Sequence, residues 1–142
     1  MKKIIILIIA IMMMPSMANA QIQKKEKTKT ETIVSLRMGY MNLKRQKNTL
    51  FLSMKTTNQF DDMMILKLGD SVDSAIQSLN DLIDICETIT GQDCISIDNG
   101  YGREIRIYKG AMGGISISAD GYAGEVNTAK SEFKRILREI QL

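Results

Sequence analysis

The chain has 142 residues, with 19 lysines and arginines against 16 aspartates and glutamates, and it contains no histidine and no tryptophan. Because histidine is the usual general base near neutral pH and the commonest metal ligand, catalytic triads and metal centres built on imidazole are excluded. This absence favours binding over catalysis, and the sequence predicts neither a cofactor nor a metal site.

Residues 1–20 have the three parts of a secretory signal peptide. Residues 1–3 carry two lysines, an unbroken apolar run covers residues 4–14, and residues 18–20 form a small-residue cleavage site. The apolar run is too short to cross ~30 Å of hydrocarbon as a stable helix, which disfavours a permanent membrane anchor. We therefore expect an exported protein, periplasmic or extracellular, that begins at Gln21 and has no integral membrane span.

A basic segment follows the predicted cleavage site. Residues 21–31 have almost no apolar side chains with which to offset their ordering entropy, and they are predicted to be a disordered leader. Residues 21–47 carry eight basic and two acidic residues, whereas residues 48–142 carry nine basic and fourteen acidic ones. The segment is either a solvated tail or an electrostatic arm for anionic envelope polymers, since export argues against a nucleic-acid partner. The basic arm comprises Lys24, Lys25, Lys27, Lys29, Arg37, Lys44, Arg45 and Lys47.

Alternating apolar residues in the next segment predict a three-stranded antiparallel meander. The alternation places strands around residues 32–40, 50–55 and 64–68, joined by polar loops at residues 44–48 and 56–62.

An amphipathic helix follows Gly69. Asp70 or Ser71 can cap its N-terminus, and apolar residues recur at steps of three and four from Val72 to Cys86. The rest of the chain repeats this order. Strands are predicted around residues 94–98, 103–109 and 115–117, followed by a last helix whose apolar face includes Phe133, Ile136, Leu137 and Ile140.

These elements predict a single α+β domain over residues 32–142. The expected architecture is an antiparallel six-stranded sheet in βββα-βββα order, with two helices packed on one face. The pattern leaves open whether the six strands form one sheet or two, and the repeated order suggests an internal duplication.

Cys86 and Cys94 are the only cysteines in the chain. In an exported protein, an even number of cysteines favours a disulfide, which here would close a short loop. The alternative is two buried free thiols that pack as small apolar side chains.

Two loops of the second half have similar sequences that combine carboxylates, tyrosines and glycines. They are Asp98-Asn99-Gly100-Tyr101-Gly102 and Asp120-Gly121-Tyr122-Ala123-Gly124. The strands before them run in the same direction in a meander, so both loops leave the same end of the sheet, about 10 Å apart. The loops are either ordinary turns with tyrosines over the sheet edge or a site for a small ligand or peptide. The ligand-binding candidates are Asp98, Asn99, Tyr101, Asp120 and Tyr122.

Three functions are compatible with these patterns. The first is a small exported non-catalytic binding protein, whose partner is an unknown envelope or extracellular protein or an anionic envelope polymer. The second is an exported hydrolase or lyase that uses Asp98 and Asp120 as paired carboxylates beside Tyr101 and Tyr122. The third is an electrostatic envelope adaptor that binds through the basic arm. The missing catalytic residue types favour the first.

Overall fold

The structure, a computed structural model, describes residues 28–142 and has an α+β architecture in which four strands and a helix occur twice. The predicted signal peptide and the leader up to residue 27 lie outside the described residues. The first half contains β1 (Thr30–Leu36), β2 (Met41–Gln46), β3 (Thr49–Met54), β4 (Met64–Gly69) and α1 (Val72–Thr88). The second half contains β5 (Cys94–Asp98), β6 (Glu104–Lys109), β7 (Ile115–Ala119), β8 (Val126–Thr128) and α2 (Lys130–Gln141).

The strands form two four-stranded antiparallel sheets. β1 to β4 pair in chain order in the first sheet, and β5 to β8 pair in chain order in the second. The α+β class, the antiparallel pairing and the two helices are confirmed. The prediction of one six-stranded sheet in βββα-βββα order is wrong: each half contains one strand more than the apolar alternation indicates, and each half forms a sheet of its own.

The strand missed in the first half results from a tight turn inside the segment predicted as one strand. Arg37, Met38 and Gly39 have φ values of 51, 56 and 94°, in the left-handed region that non-glycine residues avoid. The guanidinium of Arg37 donates hydrogen bonds of 2.7 Å to the Asn127 carbonyl and to the Glu132 carboxylate. Partners about 90 residues away therefore stabilise this turn together with the local hydrogen bond of 2.7 Å that Asn42 Nδ2 donates to the Gly39 carbonyl, and Gly39 is its local signal.

The strand missed in the second half is β8. It has only three residues and pairs with β7 through Val126, Asn127 and Thr128. A segment this short shows no periodicity from which a strand could be predicted, so its conformation depends on the neighbouring strand.

One hydrophobic core contains residues of both sheets and both helices. Helix α1 packs on β4 and against α2. Val72, the first residue of the predicted apolar stripe, is exposed, and the buried residues of α1 all belong to that stripe: Ala75, Leu79, Leu82, Ile83 and Cys86. Helix α2 buries Phe133 and Ile136. The buried strand residues include Leu43, Leu52, Met54, Met64, Ile105, Ile107, Ile115 and Ile117. The two halves therefore share a single core.

Ser71 caps α1, as one of the two predicted alternatives. Its hydroxyl accepts a hydrogen bond from the backbone N–H of Ser74 at 3.1 Å, and the Ser74 hydroxyl accepts one from the backbone N–H of Ser71 at 3.1 Å. This reciprocal pair satisfies two N–H groups that a helix start otherwise leaves without partners.

Asn99, directly after β5, joins the two sheets. Its backbone carbonyl accepts a hydrogen bond from the backbone N–H of Lys67 at 2.8 Å. Its side-chain Nδ2 donates to the Ile65 carbonyl at 3.2 Å. Both partners lie on the edge strand β4, so Asn99 occupies part of the hydrogen-bonding edge that the first sheet would otherwise expose.

Asp61 connects the two halves a second time. It lies in the loop between β3 and β4, and its carboxylate accepts hydrogen bonds from the backbone N–H groups of Ala123 at 3.1 Å and Gly124 at 2.8 Å. Nearby, the backbone N–H of Thr57 donates to the Glu125 carbonyl at 2.8 Å. These bonds hold the loop that contains Tyr122 against the first sheet.

Cys86 and Cys94 are both free thiols, so the predicted disulfide is not present in this structure. Cys86 is buried on α1, where it belongs to the apolar stripe, and Cys94 is exposed at the start of β5. The alternative of two buried thiols therefore applies to Cys86 alone. Within residues 28–142, neither helix could serve as a membrane span.

Candidate ligand-binding groove

The groove begins on the face of the first sheet that points away from the helices. Side chains alternate between the two faces of a strand, and Leu50, Leu52 and Met54 of β3 are buried in the core. Phe51 therefore lies on the opposite face. Ile65 of β4 shares that face with it, because its strand neighbours Met64 and Leu66 are buried in the core.

Loops of the second half form the other wall. Together with the first sheet they enclose a groove of about 480 Å³ that is open to solvent. We call it the aromatic groove. It is lined by Thr30, Gln46, Phe51, Ile65, Asn99, Tyr101, Arg103 and Tyr122. Because the lining comes from both halves, the groove exists only in the assembled domain.

Asn99 positions the wall and does not offer free polar atoms to a ligand. Its Oδ1 accepts hydrogen bonds from the backbone N–H groups of Tyr101 at 2.9 Å and Arg103 at 3.1 Å. Its Nδ2 is bonded to the Ile65 carbonyl, and the side chain is buried. One residue thus fixes both the β5–β6 loop and its distance from β4.

Arg103 and Tyr122 form the most defined side-chain pair of the groove. The guanidinium of Arg103 lies 5.3 Å from the centre of the Tyr122 ring, the geometry of a cation–π interaction. The Tyr122 hydroxyl donates to the Met63 carbonyl at 3.3 Å, which anchors the ring to the residue before β4. The ring in turn orients the guanidinium.

Tyr101 projects from the β5–β6 loop and is about half exposed. The preceding residue, Gly100, has a φ of +84° and lies directly against Lys67, where a Cβ would come within 2.4 Å of the Lys67 Cβ. Only glycine tolerates both the left-handed backbone and this close approach. The loop can therefore lie flat on β4 with the Tyr101 ring at the groove.

The groove has a positive electrostatic bias. Arg103 is the one charged residue among those that line it, and no ion pair of Arg103 with a carboxylate is present among residues 28–142. Lys44 and Lys67 are the neighbours of Phe51 on the adjacent strands. Lys67 is bridged to Asp70 at 2.7 Å, and this hydrogen bond raises the pKa of Lys67 and lowers that of Asp70.

Of the five residues predicted for this site, Asn99, Tyr101 and Tyr122 line the groove, and Asp98 and Asp120 do not. Asp98 Oδ1 accepts hydrogen bonds from the backbone N–H groups of Gly100 and Gly102, which stabilises the loop. Asp120 forms an ion pair with Arg106. Both carboxylates therefore have structural partners, and in the described part of the chain no three His, Cys, Asp or Glu side chains are grouped as metal ligands.

Sequence reasoning missed the residues of the groove that come from the first sheet, and it missed Arg103. A signal for Arg103 was present, since it is the first cation after the loop that contains Tyr101. Phe51 also carried a signal, because it is an aromatic residue at a position that alternates with the core residues Leu50 and Leu52.

The basic arm is not one continuous element where the structure describes it. Lys24, Lys25 and Lys27 lie outside the described residues. Lys29 precedes β1, and Lys47 lies in the turn between β2 and β3. The remaining three are Arg37, which is bonded to Glu132, Arg45, which pairs with Glu31 at 2.8 Å, and Lys44, which lies beside Phe51.

Comparison with family models, with curated proteins and with solved structures finds no match to this chain.

Proposed function

We propose that the protein is a small exported binding protein, periplasmic or extracellular, that holds its ligand in the aromatic groove. The signal-peptide pattern of residues 1–20 supports export, and the absence of histidine and of any recognisable catalytic motif in the sequence favours a binding role. The proposal depends on one observation: a single open groove is lined by Phe51, Tyr101, Tyr122 and Arg103.

The composition of the groove supports binding by physical argument. Ligand sites are concave and mostly apolar, with a few fixed polar groups, and about 480 Å³ lies within their usual range of roughly 300–1,000 Å³. Aromatic rings supply large contact areas at a small cost in conformational entropy. Arg103 supplies a polar group that can orient a ligand, because its backbone is bonded to Asn99 and its guanidinium contacts the Tyr122 ring.

The two other functions have less support. A hydrolase or lyase would need carboxylates within reach of a substrate in the groove, and Asp98 and Asp120 have other partners outside its lining. Of the five cations of the basic arm that the structure describes, Arg37 and Arg45 are ion-paired, which leaves Lys29, Lys44 and Lys47 for an adaptor role within residues 28–142.

The proposal is tested by photo-crosslinking in the cell that makes the protein. A photoreactive phenylalanine analogue replaces Tyr101 in the groove, and the same analogue replaces Tyr40, which is equally exposed but outside it, as the matched control. We expect an adduct at position 101 that is absent at position 40, read by intact mass, on a protein whose first residue is Gln21. Absence of an adduct at position 101, or equal adducts at both positions, would contradict the proposal.

A further inference from the structure

We propose that the aromatic groove recognises a carboxylate attached to an aromatic or other apolar group, with Arg103 as the residue that binds the carboxylate. This inference rests on the proposed binding function and specifies the chemistry of the ligand. Two sources share this chemistry: a free aromatic carboxylate, and the carboxy-terminal residue of a peptide whose last side chain is aromatic.

The first step of the argument is that Arg103 is held in place before any ligand arrives. Its backbone N–H donates to Asn99 Oδ1 at 3.1 Å, and its backbone carbonyl accepts from the Asn99 N–H at 2.8 Å. Its guanidinium lies 5.3 Å from the centre of the Tyr122 ring. This position over the ring face leaves the N–H groups of the exposed guanidinium available to donate two parallel hydrogen bonds, a geometry that matches a carboxylate.

The second step is that this guanidinium lacks a carboxylate partner. Of the five other arginines in residues 28–142, Arg37, Arg45 and Arg106 form ion pairs with Glu132, Glu31 and Asp120, and Arg135 and Arg138 lie on α2 and do not line the groove. Among residues 28–142, Arg103 forms none and faces a groove whose lining contains no carboxylate. With Lys44 on the adjacent strand, the local potential favours an anion.

The third step concerns the apolar part of the ligand. The Phe51 ring, which is only 9% exposed, and the half-buried Ile65 form the floor on the first sheet, and the exposed ring of Tyr101 lies at the side. Contact of these surfaces with a ring or a hydrocarbon chain makes binding more favourable, whereas contact with a simple anion contributes little. One guanidinium beside an apolar floor therefore suits a singly charged carboxylate joined to an apolar group better than a phosphate, which would need more donors.

The test is an NMR titration of isotope-labelled exported protein with four probes. They are 3-phenylpropionate, 3-phenylpropanamide, the peptide Ala-Ala-Phe with a free carboxylate, and the same peptide as its C-terminal amide. Each acid and its amide have the same shape and differ in charge, so the pair isolates the contribution of the carboxylate. We expect backbone shifts at residues 99–103 and at Tyr122, with the acids binding about tenfold more tightly than the amides. If Ala-Ala-Phe with a free carboxylate binds more tightly than 3-phenylpropionate, the peptide is identified as the source of the ligand. If 3-phenylpropionate binds more tightly, a free aromatic carboxylate is identified as the source.

Three variants complete the test. Arg103→Gln is expected to lower the affinity for the acids about tenfold and to leave the affinity for the amides unchanged. Arg106→Gln alters an arginine outside the groove and is expected to leave the affinity for all four probes unchanged. Arg103→Lys retains the positive charge on a slightly shorter side chain, so it covers the case in which Arg103→Gln does not fold. Without the planar fork, its affinity for the acids is expected to fall about threefold to tenfold.

Equal binding of acids and amides, unchanged affinity in both Arg103 variants, or no shift with any probe would overturn the inference. The proposed function is judged separately by the cross-link at position 101. A cross-link there without discrimination between acid and amide would retain the groove and remove the carboxylate chemistry.

Discussion

The side-chain amide of Asn99 donates a hydrogen bond of 3.2 Å to the backbone carbonyl of Ile65, across 34 residues of sequence and between two separate sheets. The backbone carbonyl of Asn99 accepts from Lys67 on the same strand. Asn99 thus makes the hydrogen bonds that a further strand residue would make, and it brings the loop of Tyr101 and Arg103 to the edge of the first sheet.

Replacement of Asn99 by alanine is expected to destabilise the protein by about 2–4 kcal/mol, because the Ile65 carbonyl and the N–H groups of Tyr101 and Arg103 lose a buried partner. The free energy of unfolding is measured by urea denaturation. Asn80→Ala, at an exposed position of α1, is the control and should change that free energy by less than about 0.5 kcal/mol. A loss below about 1 kcal/mol for Asn99→Ala would show that water replaces the side chain.

Gly100 and Gly102 provide a matched pair in one loop. Both have positive φ values, +84° and +78°, but a Cβ would meet Lys67 only at position 100, and nothing lies within 4 Å of it at position 102. Gly102→Ala should cost about 1–2 kcal/mol of unfolding free energy from backbone strain alone. Gly100→Ala should cost more, because the loop must also move off β4. Equal losses in urea denaturation would contradict the close packing of this loop.

Asp61 should make stability depend on pH. Its pKa is lowered from the ordinary value of 3.8, chiefly by the hydrogen bond from the Gly124 N–H and then by that from the Thr56 hydroxyl. The folded state therefore binds this proton less readily than the unfolded state. The stabilisation is fully present above the ordinary pKa and is lost as the pH falls through the lower folded-state pKa.

Asp61→Asn should accordingly reduce the free energy of unfolding near neutral pH, and the difference from the unaltered protein should shrink at about pH 3. Asp62→Asn is the control, since the Asp62 carboxylate makes no hydrogen bond within the described part of the chain. A difference that is equal at both pH values would mean that the Asp61 carboxylate contributes nothing through its charge.

The two cysteines should differ in reactivity. Cys94 is exposed, whereas Cys86 is buried and its burial raises the pKa of the thiol, so less thiolate is available for attack. Iodoacetamide without reductant should add one group rapidly and a second only after denaturation, as read by intact mass. Cys94→Ser should remove the rapid reaction. If neither thiol reacts, even unfolded, until a reductant is added, then the disulfide predicted from sequence forms in the exported protein.

The sequence predicted the elements whose signals are local. The stripe from Val72 to Cys86 and the cap at Ser71 depend on neighbours within one helical turn, and α1 forms there. The turn at Asn99-Gly100 also has a local signal, and β5 ends immediately before it. In contrast, the turn at residues 37–39 also depends on the distant partners Asn127 and Glu132, and the single Gly39 is a weak local signal for it.

The same distinction applies to the groove. Tyr101 and Tyr122 follow strands that run in the same direction, and alternation within one sheet is enough to place their loops at the same end. The wall formed by Phe51 and Ile65 depends on how the first sheet meets the second. Asn99 contributes to that contact through partners on β4, and an asparagine before a glycine predicts a turn without indicating a contact to another sheet.

The shared core has a consequence for the order of the polypeptide. With Cys86 and Cys94 as free thiols, the described halves are linked covalently through residues 89–93. The packing of α1 against α2, the bonds of Asn99 to β4 and the bond of Asp61 to Gly124 connect them without that link. Proteolytic nicking at the exposed Gly91 would therefore leave two fragments that remain associated, and coexpressed fragments could assemble by complementation. In this molecule, the covalent link raises the effective concentration of one half near the other, and the contacts between the halves specify the structure.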